Sequence, residues 1–255
     1  MSTRKHQQPK IILYREWLDT GKYVWSPFVT KLEARLRFAG LSYETQPGST
    51  RTAPKGKIPY VQISEPDEAD LANQLGDSTL IIKNLVGQGI LPDLADEDGV
   101  RRTNDLALRA LLEDKLYFYH TWERWTQNYF TMRDHILSAL PYPMRVVIGW
   151  LIYRTSVKTL HGQGTGRYTG EEIASFRREI WEAVNDLLVA SRRDAEGKRG
   201  KKKKPFWVFG GPLPTEADAT LFGFIVSVLV CTACPDSHEV VNEFPSILEC
   251  FENSR

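Results

Sequence analysis

The sequence predicts an α/β domain over residues 10–87 followed by an all-α domain over residues 96–255. Two observations predict it. As far as Leu85, short apolar strand patterns alternate with helical ones in the order strand, helix, strand, loop, strand, helix, the signature of an α/β unit of small-domain size. Beyond Gly87-Gln-Gly-Ile-Leu-Pro, which reads as a linker, strand signals almost vanish and apolar residues recur at helical spacing.

Lys10-Ile-Ile-Leu-Tyr-Arg is the first strand. After a loop containing Asp19-Thr-Gly, residues 26–39 read as a helix. Ser26 suits its N-cap, Pro27 its first helical position and Gly40 the residue just past its end. Val29, Leu32 and Leu36 form an apolar stripe, with Lys31, Glu33, Arg35 and Arg37 on the other side. Leu41 to Thr45 is a second strand, residues 47–56 a Pro- and Gly-rich loop, and Pro59 to Ile63 a third strand. Leu80, Ile81, Asn84 and Leu85 begin another helix, with Ser78 placed to cap it.

In the second domain, helical patterns cover residues 105–133, 143–161, 171–191 and 215–230, with a shorter one near the C-terminus. Thr169-Gly-Glu-Glu172 is a capping box that marks one helix start. Residues 192–204, rich in Arg and Lys, are expected to form a charged, solvated loop between two helices.

The composition, 42% hydrophobic and 25% charged over 255 residues, is that of an ordinary globular chain and argues against disordered and fibrous classes. A formal net charge of +1 predicts no general steering toward nucleic acid or acidic membranes. The first ten residues are polar and basic, unlike a secretory signal. The longest apolar stretch, Leu221 to Cys234, is shorter than the ~20 residues needed to cross a bilayer, so no membrane span is expected. Three cysteines, an odd number in a chain of this size, favour a reducing, cytoplasmic setting.

Three short segments carry chemistry. Ser26 sits where a loop enters a helix, and the free N–H groups and dipole of a helix start favour an anion. A hydroxyl there can donate a hydrogen bond to a thiolate, lowering a thiol pKa from about 8.5; it can equally serve only as an N-cap. Lys57-Ile58-Pro59 places a proline at a strand entry, where an edge, a bulge or a cis bond is required. A cis bond would turn the Ile58 backbone outward as a pairing edge for a peptide, while a trans bond would make the segment a simple strand start. Asp77-Ser78 precedes an apolar helical run: Ser78 suits a ligand carboxylate and Asp77 an ammonium, or the pair is merely a cap.

Ser26-Pro-Phe-Val-Thr-Lys-Leu-Glu, Ala53-Pro-Lys-Gly-Lys-Ile-Pro and Gly76-Asp-Ser-Thr-Leu-Ile-Ile together resemble the N-terminal domain of glutathione S-transferases. Gly162-Gln-Gly-Thr-Gly-Arg-Tyr-Thr-Gly, Lys204-Pro-Phe-Trp-Val-Phe-Gly-Gly and Pro214-Thr-Glu-Ala-Asp resemble the branch that holds the metaxins and the failed-axon-connections proteins. The resemblance implies a thioredoxin-like N-terminal domain with an all-α C-terminal domain. It implies glutathione as the ligand, a small apolar electrophile, transferase or isomerase activity, and a homodimer. It implies that Ser26 activates the glutathione thiol, that Lys57, Ile58 and Pro59 hold the cysteinyl-glycine part, and that Asp77 and Ser78 hold the γ-glutamyl end. Thr215 and Asp218 resemble the family's buried capping box, a folding element. A non-catalytic interaction protein of the metaxin type is the alternative. Val29 stands where many relatives have a cysteine, which argues against thiol–disulfide exchange at this site. The long loop before Ser26 leaves Tyr14 and Tyr23 as other hydroxyl donors.

The aromatic run from Tyr117 to Tyr129 is expected to be mostly core. Trp122 and Tyr129, with Tyr14, are the residues expected to touch an apolar substrate between the domains. Cys231-Thr-Ala-Cys234 lies at the end of an apolar helix, not at the helix start that a redox motif needs, and reads as buried helical cysteines. The five histidines have no metal-ligand spacing, so no metal is expected.

Overall fold

In the computed structural model, residues 9–16, 22–64, 73–95, 98–199 and 206–253 are described. Internal contacts divide the chain into two units. The first comprises Met1–Asp96 with Pro214–Ser227, and the second Glu97–Leu213 with Val228–Arg255. A segment from the helical half of the sequence therefore groups with the α/β unit.

The α/β unit holds a four-stranded sheet in the order β2-β1-β3-β4, with β1 at Lys10–Arg15, β2 at Glu44–Pro47, β3 at Tyr60–Ser64 and β4 at Asn73–Gly76. β2 pairs parallel with β1, whereas β3 and β4 pair antiparallel. Helices α1 (Pro27–Phe38) and α2 (Ser78–Gly87) pack on the face that presents Ile11, Leu13 and Val61, adding Leu32, Leu36, Ile81 and Leu85 to one core.

Three elements differ from the sequence reading, each for a local reason. The second strand starts at Glu44, three residues late, because Leu41 is still part of the helix ending. Gly40, at a φ of 66°, donates to Arg37 O, and Leu41 N donates to Leu36 O, a Schellman ending of α1. The fourth strand, β4, is too short to carry a periodic pattern. The cap of α2 is Asp77, not Ser78: its Oδ1 accepts from Thr79 N at 3.0 Å and Leu80 N at 3.1 Å. Ser78 is the first helical residue.

Of the charged residues of α1, only Arg37 is exposed. Lys31, Glu33 and Arg35 are as buried as the apolar stripe. Arg15 meets Glu33 at 3.3 Å, Lys31 donates to Thr79 Oγ1 at 2.9 Å, and Arg35 pairs with Glu216 at 2.7 Å while also donating to Pro92 O. Glu216 opens helix α8 (Glu216–Val230), whose residues as far as Ser227 belong to this unit. Thr215 N and Oγ1 both donate to Asp218 Oδ2, at 2.8 and 2.9 Å, fixing the start of α8. The close approach of α8 to α1 is made at Gly223, where a Cβ would strike Pro27 O and lie 2.9 Å from Lys31 N.

The second unit is helical, and no single helix among the described residues is long and apolar enough to cross a membrane. The first helical pattern begins earlier than expected, at α3 (Gly99–Leu111). It continues through a π-helical segment (Leu112–Leu116), α4 (Tyr117–Trp122) and a second π-helical segment (Glu123–Gln127) to α5 (Tyr129–Ile136). Then come α6 (Tyr142–Gln163), a 3₁₀ turn at Thr165–Arg167, α7 (Gly170–Arg199), α9 (Pro235–Asn242) and α10 (Pro245–Asn253). The expected capping box starts α7: Thr169 N donates to Glu172 Oε2 and Glu172 N to Thr169 Oγ1. The stretch 192–204 is not a loop as far as Arg199, because α7 extends through it; Lys201 to Lys204 lie outside the described residues.

The π-helical turn brings buried Glu123 into this core, where it accepts from Arg177 at 2.6 Å and from Ser237 N at 3.1 Å. His120 is buried beside this cluster and stacks on Trp181. Burial, and then the charges of Arg124 and Arg177, hold its imidazole well below the ordinary histidine range.

Two outcomes follow from this packing. Gly223→Ala forces a methyl group onto the α1 backbone and is expected to lower the unfolding free energy by about 1–3 kcal/mol in urea titrations. His120 stays neutral in the folded state where the unfolded chain takes up a proton, so its contribution to stability falls as pH drops below about 6.5, by up to about 1.4 kcal/mol per pH unit. Glu33 works in the opposite sense, since burial raises its carboxyl more than Arg15 and Arg37 lower it. The histidine effect is therefore read as the difference in pH slope between wild type and His120→Phe, which should be flatter.

Candidate functional site

The strand register collects the candidate residues at one end of the sheet. Tyr14 pairs with Tyr60, and Tyr60 with Gly76. The last residues of β1 and β4 and the first of β3 thus lie side by side. α2 leaves β4 at this end. α1 lies between the parallel strands β1 and β2, so it runs back along the sheet and its first turn is at this end as well. The chain enters β3 here through a cis Ile58–Pro59 bond.

Ser26 is the N-cap of α1, with an extended backbone and its Oγ accepting from Val29 N at 3.4 Å. That bond is longer than an ordinary N–H···O contact, and accepting it leaves the hydroxyl proton for another partner. Helix α8 holds the turn: Ser227 Oγ donates to Trp25 O at 2.5 Å, and Phe28 packs edge-on against Phe224. Sequence reasoning missed Gly223 and Ser227 as the residues that place Ser26. Their signal was present, since both interrupt a strongly apolar helix.

Pro59 and Asp77 are joined directly, Asp77 N donating to Pro59 O at 3.3 Å. Asp77 has a φ of 81°, a backbone region that a residue with a Cβ occupies only under strain. Its Oδ1 is committed to the cap of α2, leaving Oδ2 for a ligand. Ser78 is buried at the first position of the helix, where backbone N–H groups lack intrahelical acceptors. Ile58 is half-buried outside the strand ladders, and Lys57 is exposed next to it. Two helix N-termini beside a cis-proline strand entry suit an anionic ligand.

The two alternative tyrosines are placed elsewhere. Tyr14 alternates with Leu13 and Arg15 along β1, so it projects from the sheet face opposite α1. There it stacks on Tyr60, ring centroids 4.4 Å apart, and donates to Gln62. Tyr23 lies edge-on to Phe222 with the Arg37 guanidinium over its ring, 5.8 Å from the centroid. Arg37 is in the last turn of α1, so the Tyr23 ring is directed away from the first turn.

In the helical unit, the aromatic run is largely packed. The Trp122 ring faces Gly170 at the start of α7, where a Cβ would lie 3.1 Å away. Tyr129 packs edge-on to Phe130 and Tyr153. A cavity of about 380 Å³ in this unit has Tyr117, Phe118 and Trp125 on one wall and Thr155, Ser156 and Thr159 on the other, with neither Trp122 nor Tyr129 in its lining. Cys231 and Cys234 are buried in the turn after α8, not within the helix. Burial pushes the Cys231 thiol up, but a hydrogen bond with Cys234 and the Arg124 charge bring it down to about 7.

A family model described as the glutathione S-transferase N-terminal domain matches residues 27–132. That span begins one residue after Ser26 and includes Lys57, Pro59 and Asp77. The chain is 30% identical over 174 residues to an isoprene-epoxide glutathione S-transferase of Rhodococcus sp. (strain AD45), covering 64% of this chain and 69% of that protein. It is 24% identical over 213 residues to Failed axon connections of Drosophila melanogaster, covering 78% of this chain and 46% of that protein. A crystal structure of a glutathione transferase from Burkholderia graminis, with two glutathione molecules bound per subunit, superposes with a TM-score of 0.53. The identity there is 14% over 95% of this chain and 82% of that one, a likeness of fold.

Because Ser227 anchors the peptide that enters α1, Ser227→Ala is expected to cost about 1 kcal/mol of stability. Hydrogen exchange should show faster exchange of the Val29 and Thr30 amides, with the first turn of α2 unchanged.

Proposed function

The chain belongs to the glutathione S-transferase superfamily, and on that premise we propose that it is a glutathione-dependent enzyme, a transferase or an isomerase. The convergence of the Ser26 cap, the cis Ile58–Pro59 entry and the Asp77–Ser78 helix start at one end of the sheet is the observation that carries the reading. In it, the Ile58 backbone pairs with the cysteinyl amide of glutathione and Lys57 meets its glycine carboxylate. Ser78 receives the γ-glutamyl carboxylate at the N-terminus of α2, and Asp77 Oδ2 faces the γ-glutamyl ammonium.

Ser26 then acts on the sulfur. Its O–H donates to the thiolate, and the dipole of α1 favours the same charge. Both effects stabilise the thiolate over the thiol and raise the fraction of nucleophile at neutral pH. The Rhodococcus relative, named for isoprene epoxide, supports a small apolar epoxide as the electrophile. The sulfur attacks a ring carbon, the C–O bond breaks, and the alkoxide takes a proton from water. The second reading, a non-catalytic interaction protein, is favoured by the similarity to Failed axon connections over 78% of this chain. The chain spans under half of that relative, so the role of that protein does not carry over as a whole.

Calorimetry separates the two readings. The enzyme reading expects glutathione to bind at or below millimolar concentration, and no binding there leaves only the interaction protein. With glutathione bound, Ser26→Ala should raise the thiol pKa by about one unit, or about 1.4 kcal/mol, while Asp77→Asn, which can keep the cap, should weaken affinity without moving that pKa. An unchanged thiol pKa in Ser26→Ala assigns activation to the backbone donors alone.

A further inference from the structure

The hairpin of α5 and α6 presents an exposed apolar face that the glutathione reading does not use. Phe130 on α5 and Tyr142, Met144, Val147, Trp150 and Leu151 on α6 are each half or more exposed. Along α6, Val147, Trp150 and Leu151 share one side of the helix with Arg154 and Lys158, which follow at spacings of three and four residues. The buried residues Gly149 and Leu160 occupy the opposite side. The outward face is therefore apolar in its first half and basic in its second, and Arg154 lies over the Trp150 ring at 4.7 Å.

The face is built on a rigid base. Arg133 of α5 is buried among the rings of Tyr129, Phe130 and Tyr142, its guanidinium 5.3 to 5.7 Å from their centroids. Its aliphatic stem occupies the space that Gly149 leaves open on α6. Tyr129 packs on Tyr153, and the Arg145 guanidinium closes the connection by donating to Ser138 O and Leu140 O.

Charge decides the occupant. α6 carries Arg145, Arg154 and Lys158 and no acidic residue in 22 positions. The one acid of α5, Asp134, is paired with Arg133 at 2.7 Å. A second copy seated on this face by two-fold symmetry would bring the same cations and no carboxylate to meet them. An anionic lipid surface supplies the missing charge, and its headgroup boundary suits exposed Trp and Tyr next to aliphatic side chains.

We propose that the α5–α6 face docks on an anionic membrane surface, with α6 lying flat, Val147, Trp150 and Leu151 in the headgroup–acyl boundary, and Arg154 and Lys158 against lipid phosphates. The full chain is mixed with vesicles of phosphatidylcholine, with or without about one-third phosphatidylserine, and bound protein is read by co-sedimentation. Partition into the anionic vesicles is expected, falling with added salt. Arg154→Gln with Lys158→Gln should weaken it about 25-fold, or five-fold per charge. Val147→Asp, at an exposed position, should abolish it without changing the circular dichroism. Absence of partition, or partition that neither variant weakens, overturns the proposal. So does sedimentation velocity showing a dimer that Val147→Asp dissociates together with no vesicle binding, which would give the face to a second copy.

Discussion

The α/β unit depends on the contact between α1 and the first half of α8. Gly223 lets the two backbones meet, Arg35 and Glu216 form an ion pair at the contact, and Ser227 ties down the residue before Ser26. Without that contact Arg35 would lose its partner Glu216, and α1 would be held from one side only, by the apolar stripe, the Arg15–Glu33 pair and the Lys31–Thr79 bond. With it, α1 is held on both sides, and its first turn, which carries the candidate chemistry, has a defined position. Buried ion pairs add little net stability, but breaking one strands a charge. The geometry they enforce is therefore hard to leave.

At the site end of the sheet, three of the candidate residues have a structural task. Ser26 caps α1, Asp77 caps α2 from a strained backbone, and Pro59 accepts from Asp77. Capping places these side chains beside free backbone N–H groups, the setting in which a carboxylate or a thiolate is favoured. A cap and an anion site ask for the same arrangement, so the pattern of residues alone does not separate them.

In the helical unit, two π-helical segments bracket Tyr117–Trp122 and turn aromatic and charged residues of one long helix toward different neighbours. Glu123 and His120 go into the core, Tyr117 and Phe118 to a cavity wall, and Tyr129 against Tyr153. The α5–α6 hairpin keeps a basic, apolar face outward although its aromatic partners are well packed. Exposure there results from the amount of apolar surface on α6, which exceeds what one side of a helix can bury.

Local signals in the sequence determined the order of the elements long enough to carry a pattern, the Schellman ending at Gly40 and the capping box at Thr169. Each of these is settled by a few neighbouring residues, so it is legible without a fold. The burial of Lys31, Glu33 and Arg35 was not legible, because their partners stand far away in the chain, Glu216 most of all. The role of Asp77 over Ser78 as cap turned on one backbone angle, and the exclusion of Tyr14 from the first turn of α1 on the strand's alternation against a specific sheet face. The chain's own pattern determined what could cap, pair or bind. Tertiary structure decided which groups meet, because meeting depends on contacts between segments that periodicity along the chain does not encode.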